Sequence, residues 1–355
     1  MNTFIIGKYV GSNVGGAELS SNELAKSFFP DSIINLRLSK INKFRGNKIQ
    51  TNKEFKIVNY PQFRLLSLWS VYFAPYLYDK FKQKNILEDL KFIQKEDIAI
   101  GVGIESVPIL LRLKCKCIFV ARSPNDLSIT PIYGFNFLKV KRIVKFLIDY
   151  IPSLLFKNLL QKYISSKKEF AVNSLFMKNL ASKKLRIKKN KIKIYLPEPL
   201  LINEKSDIEK EVKEPIIRLI MVGNDECKGI SIFKKISKTI QKRASNGLKY
   251  ENICISRNHS KLTYCEKNNI NYYPWGNFFK LINQKTIVIV PSFWEEAYCR
   301  VAKECNILNI PVIAFKRGGI PEALNGHKKC ILLKYNNDLN QWINSINKLS
   351  LSFNK

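Results

Sequence analysis

The sequence predicts an α/β protein of two doubly wound, Rossmann-like domains, and three observations carry that reading. Short apolar runs of strand length alternate with amphipathic stretches of helix length along nearly the whole chain. Such βαβα order builds parallel sheets covered by helices. The alternation is interrupted once, at 203–214, where eight of twelve residues are charged, as suits a solvated linker. The length of 355 residues fits two domains at about 100–200 residues each.

In the first half the strand candidates are Thr3–Val10, Ser32–Leu38, Lys56–Tyr60, Asp97–Gly103, Lys116–Ala121, Glu169–Asn173 and Lys191–Leu196. Ala17–Phe28 and Val140–Tyr163 between them carry helical periodicity. The second series runs Ile216–Val222, Glu251–Ser256, Ile270–Tyr273, Thr286–Val290, Ile310–Phe315 and Cys330–Leu333. Gly229–Ala244 and Ala297–Leu308 read as its helices. The expected organisation is an N-terminal domain over 1–202, the linker, and a C-terminal domain over 215–355 that ends in a helix. Two such domains are expected to face each other across a cleft, with ligands beyond the carboxyl ends of the strands.

Composition narrows the function. A hydrophobic share of 46% excludes a disordered chain. The net charge of +32 points to nucleic acid, an anionic membrane surface or an anionic small substrate. A general drift toward Lys, Asn and Ile is the competing explanation. The surplus is uneven: 139–193 holds 16 basic and 2 acidic residues, interleaved with Phe146, Leu147, Tyr150, Leu154, Leu155 and Phe156. A basic amphipathic surface of this kind suits peripheral contact with anionic lipid, and an ordinary interdomain helix with a solvated lysine face reads as well. Eight scattered cysteines without a C-x-x-C pair, and His259 and His327 off ligand spacing, argue against a metal site and for a reducing cytoplasm. The longest uncharged run, Leu65 to Tyr78, falls short of the roughly 20 residues that span a bilayer. No base-stacking aromatics line a recognisable nucleic-acid module, so no nucleic-acid partner is expected.

The richest stretch is 286–324. A buried strand ends at Pro291-Ser292, and Trp294-Glu295-Glu296 is expected to open a helix. Glu296 and Glu304 then lie on one helix, about 12 Å apart at about 1.5 Å of rise per residue. Carboxylates so spaced suit the hydroxyls at two ends of an extended nucleotide-sugar. Between them the helix N-terminal amides of Ala297, Tyr298 and Cys299 suit a phosphate. The next strand ends in Gly318-Gly319-Ile320-Pro321-Glu322, where two glycines admit a diphosphate and Pro321 starts a helix.

This stretch resembles the nucleotide-sugar-binding signature of the retaining glycosyltransferases of family 4, which have the GT-B fold. The resemblance rests on P-S-x-W-E-E, the E-x7-E pair Glu296/Glu304, and G-G-I-P-E. It extends to Gly15-Gly16-Ala17-Glu18 after the first strand, to Val222-Gly223 followed by Lys228-Gly229, and to Asn173-Ser174 before a basic helix.

The resemblance implies transfer of a sugar from a nucleoside diphosphate-sugar donor to an acceptor hydroxyl with retention, in polysaccharide or lipopolysaccharide synthesis. It implies no cofactor and no metal. Glu296 and Lys228 are then the catalytic pair, Glu296 on sugar hydroxyls and Lys228 on the leaving diphosphate. Glu304 binds the ribose, and Gly15, Gly16, Gly318, Gly319 and Glu322 complete the donor site. Tyr273 or Pro274, at another strand end, is the candidate to lie against the base. Two departures stand out. Asn224 occupies the position of a family Arg, leaving Arg257 or Arg300 to replace its charge, and no histidine falls in the N-terminal domain. Arg122, directly after the strand ending at Ala121, stands in a comparable place for phosphate or acceptor. The acceptor is expected to be a glycan or lipid-linked, the enzyme cytoplasmic and peripheral to the membrane. A nucleotide-sugar epimerase of similar fold, a basic nucleic-acid-binding protein and an inactive transferase are the alternatives.

Overall fold

The computed structural model describes residues 1–7, 16–39, 55–59, 90–127, 157–196, 216–243, 249–256, 262–274, 278–336 and 338–353. The chain divides into two compact units, Met1–Glu198 and Pro199–Lys355. The charged segment 203–214 and residues 139–156 of the basic stretch lie outside the described residues.

The first unit contains β1 (Thr3–Gly7), β2 (Ile33–Ser39), β3 (Phe55–Asn59), β4 (Ile98–Val102), β5 (Lys116–Ala121), β6 (Glu169–Val172) and β7 (Lys193–Ile194). All pair in parallel, in the order β3-β2-β1-β4-β5-β6-β7. All five residues of β1 are buried, and Thr3 sits opposite Ile33 on one side and Ile98 on the other. Ile5, Ile100, Ile118, Val120 and Ala171 form one core face. Helices α1 (Gly16–Lys26), α2 (Val107–Arg112) and α3 (Leu175–Leu185) follow strands in this unit. Ser174 caps α3 by accepting the Met177 amide at 3.0 Å, and Arg186 ends it in the left-handed conformation.

The second unit contains β8 (Ile216–Val222), β9 (Lys249–Ser256), β10 (Thr263–Cys265), β11 (Ile270–Pro274), β12 (Thr286–Val290), β13 (Val312–Phe315) and β14 (Cys330–Leu333). Their order is β10-β11-β9-β8-β12-β13-β14, and only β10 pairs antiparallel. Residues alternate between two buried faces, as the strand period of two requires. Ile217, Leu219, Met221, Ile287, Ile289, Ile313 and Phe315 share one face with Ile230, Phe233, Ile236 and Ile240 of α4 (Ile230–Arg243). Trp342, Ile343 and Ile346 of the C-terminal helix join that face. Ile220, Val288, Val290, Val312 and Ala314 face the other way, toward Ala302 and Cys305 of α5 (Arg300–Ile307) and Ile320 and Ala323 of α6 (Ile320–Ala323). The C-terminal helix, α7 (Leu339–Ser352), is capped by the Asp338 carboxylate on the Asn340 amide.

The strands read from the sequence match these bounds to within a few residues, Lys116–Ala121, Ile216–Val222, Thr286–Val290 and Cys330–Leu333 without change. The antiparallel edge strand β10 is the addition. Among the described residues, no helix is long and apolar enough to cross a membrane. Phe315 is fully buried, and its ring meets Trp342 edge-on at 4.9 Å between centroids. Phe315→Ala is therefore expected to cost about 3–5 kcal/mol, read from urea denaturation.

Candidate functional site

In the second sheet the chain runs outward from β8 in both directions, to β9 and β11 on one side and to β12, β13 and β14 on the other. The strand order therefore reverses between β8 and β12. Loops leaving the carboxyl ends of those two strands part there, at the usual ligand position of a doubly wound sheet.

Gly223 follows β8 with φ of 97°, and a short 3-10 turn, Glu226–Lys228, ends at Gly229 with φ of 86°. A Cβ on Gly229 would lie 2.0 Å from the Pro291 carbonyl oxygen, so this loop presses directly on the one after β12. The Cys227 carbonyl accepts the amides of Phe293 and Trp294 at 2.9 and 3.1 Å. These contacts bring the Lys228 ammonium to 2.6 Å from Oε1 of Glu296. The Ser292 hydroxyl donates to the same carboxylate oxygen at 2.8 Å. Glu296 is buried, whereas Lys228 keeps 40% of its side-chain surface. Burial is the largest single influence on Lys228 and lowers its pKa, but the charge and hydrogen bond of Glu296, together with the neighbouring Cys299 and Cys227, raise it overall.

A third loop, after β13, completes the arrangement. The Gly319 amide donates to the Glu296 carbonyl at 2.6 Å. A Cβ on Gly318 would meet the Glu296 backbone within 2.7 Å, and one on Gly319 the Ala297 carbonyl at 2.5 Å. Pro321 lies in the first turn of α6, as its sequence position implies.

One expectation is corrected. The helix begins at Arg300, not at Trp294–Ala297, with Cys299 as its N-cap. Continuing it backward would require the Glu296 carbonyl to accept the Arg300 amide, and Gly319 takes that carbonyl instead. Glu296 is therefore a loop residue, and the spacing of about 12 Å along one helix does not apply. Ala297 and Tyr298 precede the helix, so their amides are not its N-terminal donors.

Glu304 lies on α5, buried, with Arg300 3.5 Å away one turn back. Burial pushes its carboxyl up to about 7, and the Arg300 charge works against that rise. Burial also raises the Cys299 thiol to about 12, and raises the Tyr298 phenol to about 12 with help from the charge of Glu322. Tyr273 is half-buried, one residue before the end of β11 at Pro274, with β9, β8, β12 and β13 between that strand and β14 at the far edge. Asn224 is half-buried in the loop of Lys228. Gly16 opens α1, while Gly15 and Arg257 lie outside the described residues. Arg122 belongs to the first unit, where it follows β5. Its amide donates to Asp126 and its carbonyl accepts from Asn173. Sequence reasoning assigned no role to Ser292 or to the Cys227 carbonyl; their place at a strand end and in the glycine loop was the available signal.

Neither a protein-family model nor a curated protein sequence matches the chain. Solved structures do. WaaG, a glycosyltransferase involved in lipopolysaccharide biosynthesis, aligns with a TM-score of 0.64 and 11% identity, covering 99% of this chain and 92% of WaaG. Anabaena HepE in complex with UDP and glucose aligns with a TM-score of 0.62 and 13% identity over 98% and 89%. TarM gives a TM-score of 0.62 and 12% identity over 99% and 92%. The fold is GT-B. Its second unit carries Lys228, Glu296 and the paired glycines at the reversal of strand order.

The buried Glu304 carries a pH dependence. Its folded-state pKa of about 7 exceeds the 4.5 of an exposed glutamate. The protonated form therefore favours folding fully below about pH 4.5, and that contribution is lost as pH rises through about 7. At most about 3 kcal/mol is at stake. Glu304→Gln is expected to flatten the fall in stability between pH 4.5 and 8, measured by urea denaturation across that range.

Proposed function

We propose that the protein is a retaining glycosyltransferase that moves a sugar from a nucleoside diphosphate-sugar to an acceptor hydroxyl. The carrying observation is the Lys228–Glu296 pair, 2.6 Å apart at the strand-order reversal of a GT-B fold. Each partner suits a different part of one donor. Lys228 supplies positive charge where the bond between the anomeric carbon and the diphosphate oxygen breaks and the electron pair leaves with the diphosphate. That charge grows toward the transition state, so Lys228 stabilises the transition state more than the bound donor. Glu296 accepts hydrogen bonds from hydroxyls of the transferred sugar, while the acceptor hydroxyl passes its proton to the departing diphosphate oxygen and forms the new bond to the anomeric carbon. Glu304, on the first turns of α5, takes the ribose hydroxyls.

Without donor the two charges satisfy each other, so binding exchanges one ion pair for two ligand contacts. Retention and membership of the family 4 type rest on the resemblance of 291–322. A role in cell-surface polysaccharide or lipopolysaccharide synthesis is supported by the similarity to WaaG. The acceptor is a glycan or a lipid-linked saccharide, reached through peripheral contact of the basic segment 139–193 with anionic lipid.

The test is a thermal-shift panel of UDP, GDP and ADP with their common sugar conjugates, since stabilisation follows affinity for the folded state. One nucleotide series is expected to raise the melting temperature. With that donor, Glu296→Gln is expected to lower kcat by at least about 100-fold with the fold intact. Absence of a shift with every nucleotide at millimolar concentration, or near-normal turnover in the variant, would defeat the proposal.

A further inference from the structure

Arg317 differs from the other arginines whose environment is described in the second unit. Arg218 is bound to Glu251 at 2.8 Å and to the Leu281 carbonyl at 3.0 Å, and Arg300 lies beside Glu304. Arg317 is half-buried, and among the described residues no carboxylate lies within ion-pair distance of it. Its Nε is buried with no hydrogen-bond acceptor, a feature that does not by itself set it apart from Arg300; the missing carboxylate does. A solvated lysine on a basic surface has no such environment, so general charge surplus does not explain this residue.

Its partner is aromatic. The guanidinium carbon sits 4.1 Å from the centre of the Tyr335 ring. Tyr335 in turn meets Phe315 edge-on at 5.2 Å and Phe293 at 6.2 Å. Phe293 follows β12, Arg317 follows β13 and Tyr335 follows β14, so three successive strand ends hold the guanidinium in place. Stacking engages the flat face of a guanidinium and leaves the donors in its plane, which match the two oxygens of a carboxylate.

Position relative to the donor follows from the sheet. Lys228 leaves β8, Glu296 follows β12, and Arg317 follows β13, three neighbouring strands in that order. Strands lie about 4.8 Å apart. Arg317 also immediately precedes Gly318, whose backbone is pressed against Glu295 and Glu296. If Lys228 marks the diphosphate and Glu296 the sugar hydroxyls, Arg317 leaves the strand beyond that of Glu296, and its backbone runs directly into the glycines that clasp Glu296.

We infer that Arg317 selects a donor whose transferred sugar carries a carboxylate, a nucleoside diphosphate-uronic acid. This rests on the proposed glycosyltransferase function and names its donor class. Two parallel N–H···O bonds from the guanidinium would hold the sugar carboxylate, while Glu296 holds the ring hydroxyls on the near side.

The experiment is titration calorimetry of the full chain with matched pairs, UDP-glucose against UDP-glucuronate and GDP-mannose against GDP-mannuronate, with UDP and GDP alone as references. In the series that binds, the uronate is expected to bind at least 10-fold tighter than its neutral partner, and Arg317→Gln brings it down to the neutral level. Equal or weaker binding of the uronate, with the nucleotide itself bound, overturns the inference and leaves the transferase reading standing. So does a preference that survives in Arg317→Gln. If no nucleotide or sugar nucleotide binds, both readings fall. Should the variant not fold, the comparison between uronate and neutral sugar on the unaltered protein decides alone.

Discussion

The backbone of Glu296 is the point on which the candidate site depends. Its carbonyl accepts the Gly319 amide, and Gly318 and Gly319 lie so close to residues 295–297 that no side chain fits between. On the other flank Gly229 leaves the same lack of room against Pro291. Gly229 and Gly318 also hold positive φ, 86° and 56°, which L side chains adopt only at a cost. Loops from three strands are thus clasped around one peptide. The clasp keeps a carboxylate buried at the carboxyl end of the sheet and stops the helix behind it from starting early.

A carboxylate out of water needs compensation, and Lys228 and Ser292 supply it at 2.6 and 2.8 Å. The pair adds little to stability, because a lysine with 40% of its surface in water is screened. Its weight lies in position. Each charge holds the other in place between two loops that leave neighbouring strands. The free protein therefore keeps both groups oriented through an interaction that is easily exchanged.

Much of the fold was legible because parallel strands buried on both faces read as continuous apolar runs. Thr286–Val290 is such a run and Ile216–Val222 is one interrupted only by Arg218, and their limits agree with the structure. Thr263–Cys265 was not legible: three residues at an exposed antiparallel edge bury too little to leave a pattern. The start of α5 was missed for a different reason. Local sequence favours a helix from about Glu296, and the competitor for its carbonyl is Gly319, 23 residues later. A contact across two strands overrides a local preference that no window around Glu296 can show failing. Lys228, Glu296 and Gly318–Gly319, which the structure links through Glu296, were readable from their places after strands. Arg317 was not, since it is one of 60 basic residues until Tyr335 is found beneath it.

That contrast bears on the net charge of +32. Charge that acts on a ligand must be held, and holding requires partners. Lys183, Lys184, Lys189 and Lys191 lie in the last turns of short helices in the first unit, where a cation suits the helix end and requires no ligand. Lys193 is answered by Glu169 at 2.6 Å. Lys228 and Arg317 differ in being fixed from more than one strand end, the first by Glu296 and the glycine loop, the second by an aromatic stack. A compositional drift adds lysines wherever water tolerates them, but it does not build an aromatic seat under a guanidinium or bury a carboxylate beside an ammonium. The surplus and the candidate site are therefore separate properties of the chain, and Lys228 and Arg317 stand apart because removing either would leave a formed partner behind.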